Sequence, residues 1–148
     1  GSDHILARLL HGPSNRPKIL LVDDNPPVRT FMRYYIEQHG FEVLDAENAR
    51  DARGILEETS SIDLMIVDTV LPTRRGPDLA RDLHERGLTA PVLYYSKHSF
   101  SDLVESGYLS ADDPFLDDPL KAGELIDTIE KLFDGGPDGP TCRRRATG

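Results

Sequence analysis

Two stretches of four consecutive apolar residues, Ile19-Leu20-Leu21-Val22 and Leu64-Met65-Ile66-Val67, run directly into carboxylates, Asp23-Asp24 and Asp68. A strand with one wet face alternates apolar and polar residues. An uninterrupted apolar run must instead be covered on both faces, as in a parallel sheet between two layers of helices. Val92 to Tyr95 reads the same way, with Phe41 to Leu44 as a further strand and Phe115-Leu116 as a short fifth one.

The segments between these runs carry helical spacing. Asn25 is placed to cap a helix with Pro26-Pro27 in its first turn, and Val28, Phe31, Met32, Tyr35 and Ile36 recur on one face until Gly40. Ala49 to Glu58, the Leu79-Ala80-Leu83 segment, Phe100 to Tyr108 and the Leu125-to-Phe133 stripe supply four more helices. Five strands alternating with five helices predict right-handed crossovers and a doubly wound α/β sheet. In such sheets the working site lies beyond the carboxyl ends of the strands.

Length and composition agree with one domain. The 148 residues are 38% hydrophobic, enough for a single core. Residues 1–17 read as a protease-cleavage scar and linker, residues 18–133 as the folded domain, and residues 134–148 as a flexible Gly/Pro tail with a basic end, Arg143 to Arg145. The net charge of −9 argues against direct nucleic-acid binding, and the sequence lacks a membrane-inserting run. The single cysteine, Cys142, rules out an internal disulfide and fits a cytoplasmic location.

The residues that follow the strands carry the chemistry. Asp23, Asp24 and Asp68 are brought to one rim by this topology, with Ser96-Lys97 after the fourth strand and Asp117-Asp118 after the fifth. Singly, each acid reads as a capped turn or a solvated loop. Together they form an oxygen-only cluster that suits Mg²⁺, because like charges held close must be neutralised. A carboxylate beside such a cation can attack a phosphoryl group.

Over residues 18–133 the sequence resembles the receiver domains of two-component response regulators. The resemblance rests on Ile19 to Asn25, on Asp63 to Pro72 with Gly76 after it, on Pro91 to Ser96, and on Phe115 to Pro119. It implies a flavodoxin-like five-stranded sheet of order 2-1-3-4-5. It also implies that Asp68 accepts phosphate from a histidine kinase or phosphotransfer protein, that Asp24 binds Mg²⁺ directly, and that Asp23 assists through water. The backbone carbonyl of Val70 completes the metal shell, Ser96 donates its hydroxyl to the phosphoryl group, and Phe115 is the aromatic that swings inward. A domain of this kind is not a conventional enzyme, although it assists its own phosphorylation and dephosphorylation. It works as a monomer or weak dimer beside a kinase or output domain, and the surroundings of Ser96 are similar to receivers of hybrid histidine kinases.

One departure stands out. The family has a Lys before a cis-prolyl bond where this chain has Asp118 before Pro119. Replacing a positive by a negative charge there raises repulsion among the acids by a few kcal/mol. Lys97 either reaches into the pocket as a substitute ammonium or points to solvent, and Lys121 is a more remote candidate. Two functions therefore stand: a phosphoacceptor receiver, and a pseudo-receiver that binds partners without phosphoryl switching.

Overall fold

The computed structural model describes residues 5–6, 16–59 and 61–134. The tail with its basic end and Cys142 lies outside the described residues, as does most of the expected linker; within that linker Ile5 and Leu6 are helical. Five strands, β1 (Lys18–Val22), β2 (Glu42–Ala46), β3 (Leu64–Asp68), β4 (Val92–Tyr95) and β5 (Phe115–Leu116), form one parallel sheet in the order β2-β1-β3-β4-β5. Five helices connect and follow them: α1 (Pro26–Gln38), α2 (Ala49–Glu58), α3 (Gly76–Glu85), α4 (Phe100–Glu105) and α5 (Ala122–Asp134).

Alternate residues of each strand feed two separate cores, which is why β1 and β3 are apolar throughout. Leu20, Val22, Met65, Val67 and Tyr94 pack with Ala52 of α2, Leu79 and Leu83 of α3 and Leu103 of α4. Ile19, Leu21, Leu64, Ile66, Leu93 and Tyr95 pack on the other face with Met32 and Ile36 of α1 and Leu125 and Ile129 of α5. Each of the Val, Leu, Ile and Met side chains among these contributes roughly 1.5–3 kcal/mol when fully buried. No helix among the described residues is long and apolar enough to cross a membrane.

Element ends follow local chemistry. Asn25 caps α1 by accepting a hydrogen bond from the Val28 N–H at 3.1 Å, and Pro26 and Pro27 fill positions whose N–H groups have no helical partner. Replacing Asn25 by Ala removes that cap and should lower stability by about 1 kcal/mol. A urea titration checks this through a lower midpoint at unchanged slope. The second strand begins at Glu42 and not Phe41, because Gly40 at φ 85° completes the turn out of α1 and Glu42 is the residue in register with Lys18. The fourth helix stops at Glu105, short of the expected Tyr108, because Gly107 at φ 82° turns the chain away.

The β3–α3 connection is closed on itself. Val70 and Arg75 form an antiparallel bridge, Leu71 N–H donates to Arg74 O at 3.1 Å, and Gly76 N–H donates to Thr69 O at 2.7 Å. The Arg75 guanidinium lies 4.2 Å from the centre of the Tyr108 ring, which ties this loop to the segment after α4.

Candidate functional site

The parallel strands all end on one rim, and a cavity of about 700 Å³ opens there. Its lining includes all five acids expected at the strand ends, Asp23, Asp24, Asp68, Asp117 and Asp118, together with Val70, Ser96 and Lys97. Asp23, Asp24 and Asp68 each offer an oxygen within 4.8 Å of the others. Among the described residues, none of these three carboxylates forms an ion pair with a protein cation. An oxygen-only set of this size and spacing fits a hard divalent cation such as Mg²⁺.

Asp68, the last residue of β3, is half-buried, and its Oδ1 accepts the Val70 N–H at 3.0 Å. Its carboxyl is pushed up to about 6, mainly by burial and then by the charges of Asp23 and Asp24, against the opposing Val70 hydrogen bond. The Lys97 charge acts in the opposite direction and is the weakest of these influences. Lys97 is exposed at the mouth of the cavity. Lys121, also exposed, sits 3.9 Å from Glu124 and does not line the cavity.

Ser96 is nearly buried, and its Oγ accepts the His98 N–H at 3.1 Å, which leaves the hydroxyl proton to be donated elsewhere. Phe115 is half-buried and packs against Phe100 of α4 with ring centres 5.1 Å apart. Asp118 accepts the Leu120 N–H at 2.9 Å and so opens the turn into α5. The peptide bond into Pro119 is trans, unlike the cis bond that the family resemblance places there.

Two partners were not legible from the spacing of the acids. Asp23 is only 1% exposed; its Oδ1 accepts the Asn25 N–H at 2.8 Å, and its Oδ2 accepts a short hydrogen bond from the Tyr95 hydroxyl. Burial, followed by the Asp23 charge, raises the Tyr95 phenol well above its ordinary range. Tyr95 also uses its backbone carbonyl, which accepts from both the N–H and the hydroxyl of Thr69, at 2.9 and 3.0 Å. The available signal was the Tyr94-Tyr95 pair at a strand end, where a buried phenol must find a polar partner. Alternation assigns the two rings to opposite faces but does not reveal which one meets an acid.

Comparison with known proteins reaches the same region of the chain. The family model described as the response regulator receiver domain matches residues 19–130. The transcriptional regulatory protein AruR of Pseudomonas aeruginosa is 30% identical over 121 residues, covering 79% of this chain and 49% of that protein. The transcriptional regulatory protein CpxR of Escherichia coli is 31% identical over 116 residues, covering 78% of this chain and 49% of that protein. The chain thus spans about half the length of these curated relatives. Among solved structures, the receiver domain of the hybrid histidine kinase CckA superposes with a TM-score of 0.62 at 30% identity, covering 77% of this chain and 96% of that one.

Proposed function

The chain belongs to the response regulator receiver domain family of two-component signalling, and from that premise we propose that it takes a phosphoryl group on Asp68 from a phosphohistidine of a kinase or phosphotransfer protein. The observation that carries this reading is the convergence of Asp23, Asp24 and Asp68 within 4.8 Å, with Ser96 on the same cavity. Asp24, Asp68 and the Val70 carbonyl, with Asp23 behind them, would hold Mg²⁺, which when bound supplies the charge screening that lets an anionic phosphoryl group approach a carboxylate.

The chain's own residues supply the rest. The Val70 N–H engages Oδ1 of Asp68, leaving Oδ2 for the new bond. As Oδ2 bonds to phosphorus, the donor's N–P bond breaks, and the imidazole leaves with its electron pair and takes a proton from solvent. The Ser96 hydroxyl, whose oxygen already accepts from His98, donates its proton to a phosphoryl oxygen. The phosphoryl group carries about 1.5 to 2 negative charges where the carboxylate carried one, and it places them farther into the cavity. That charge draws Ser96 inward and opens room for Phe115 to leave its contact with Phe100.

The pseudo-receiver reading has one specific observation in its favour: Asp117 and Asp118 face the cavity from the segment where the family places a Lys. Incubation with acetyl phosphate or phosphoramidate and Mg²⁺, followed by intact-mass analysis, separates the two readings. A phosphoacceptor gains one phosphoryl mass unit that Asp68→Asn does not. If no donor adds that mass to the wild type, the pseudo-receiver reading stands instead.

A further inference from the structure

We propose that Tyr95 is a positioning residue for the divalent-cation site, its hydroxyl holding Asp23 in place as a neutral donor where no cation among the described residues does so. The inference rests on the reading of the acidic cluster as a cation site.

A carboxylate that is 1% exposed must have donors on its oxygens. Asp23 has two: the Asn25 N–H, fixed by the chain at 2.8 Å, and the Tyr95 hydroxyl. Among the described residues Tyr95 is the only side chain that donates to it. The guanidinium of Arg29 donates to the Asp23 backbone carbonyl and pairs with Asp45, so it does not serve the carboxylate.

Tyr95 is well suited to hold a geometry. Its ring is locked into the core between the sheet, α1 and α5, and its carbonyl is pinned twice by Thr69, the residue after Asp68. One residue thereby fixes Asp23 through its side chain and the end of β3 through its backbone. The donor type also matters. An ammonium would orient Asp23 while cancelling its charge, in competition with an incoming cation. A phenol orients the carboxylate and leaves all three negative charges available to that cation. Partners that orient a ligand in this way typically change metal affinity by about 10–100-fold when removed.

The test is Mg²⁺ binding to the whole chain by calorimetry, paired with the near-ultraviolet difference spectrum of tyrosine. Tyr95→Phe, which keeps the ring and removes only the donor, should weaken Mg²⁺ binding roughly tenfold. Wild-type protein should show a tyrosine perturbation on adding Mg²⁺, because a cation drawing on Asp23 weakens the phenol bond. Tyr94→Phe, on the same strand but in the opposite core, should retain both that signal and the affinity. Tyr95→Phe should lose the signal. Unchanged affinity in Tyr95→Phe overturns the inference. So does a wild type that binds Mg²⁺ with no tyrosine perturbation, an outcome that needs no variant to fold. A wild type that binds no Mg²⁺ overturns the cation-site reading itself.

Discussion

Replacing Gly76 by Ala is expected to be strongly destabilising. A methyl group at Gly76 would lie 2.4 Å from the Asp68 carbonyl oxygen and 3.0 Å from the Thr69 Cα, and both of these are backbone atoms that cannot rotate away. The same residue donates its N–H to Thr69 O at 2.7 Å, so the chain cannot retreat without losing that bond. Relief requires moving either the end of β3 or the start of α3, at about 3 kcal/mol, the upper end of overpacking costs. For a domain of this size that corresponds to a fall in Tm of roughly 10 °C. The variant should also bind Mg²⁺ poorly, since the atom it displaces belongs to Asp68. A melting temperature within about 2 °C of the wild type would show that the loop yields more easily than its two backbone contacts imply.

The opposite sign is expected for Asp68→Asn in metal-free protein. The folded-state carboxyl titrates at about 6 against an ordinary 3.8, so the folded chain holds the proton more tightly than the unfolded one. The ionised group therefore opposes folding at any pH above about 6. That opposition fades as the pH falls through 6 and is gone below 3.8. A shift of this size corresponds to about 3 kcal/mol if taken bare, and to about 1–2 kcal/mol once solvent screening of a partly exposed group is allowed for. Asparagine keeps an oxygen for the Val70 N–H, so the variant should melt several degrees higher at pH 7 and match the wild type near pH 3.5. Saturating Mg²⁺ should narrow the gap at pH 7 by stabilising the wild type alone. A pH-independent difference would trace the effect to packing and not to charge.

Much of this arrangement was readable from residue order. The unbroken apolar runs of β1 and β3 dictate a two-sided sheet, and the acids immediately after them must then share a rim. Even β5, two residues long, was marked by Phe115-Leu116 between polar segments. What was not readable depends on contacts between distant residues. The Tyr95 hydroxyl reaches an acid 72 positions away, and nothing local to either residue encodes that pairing. Gly76 is legible as a small residue at a helix start, whereas the reason it must be small, the Asp68 carbonyl above it, appears only once β3 and α3 are packed. Lys97 lies just past the end of β4, where strand alternation no longer dictates direction, and its exposure had to be seen.

The brevity of β5 has a consequence for how the molecule opens. This edge strand is held to the sheet by only two register pairs, Tyr94 with Phe115 and Tyr95 with Leu116, while β1 is paired with β2 along its length and with β3 from Ile19 to Val22. Local opening draws on the least-paired elements first, so amide exchange with solvent is expected to be faster at this margin than in the central strands. A short edge also offers little template for a second molecule to add a strand. Phe115, Asp117 and Asp118 all lie on this margin, so that sector of the rim can rearrange without unzipping the centre that carries Asp23 and Asp68.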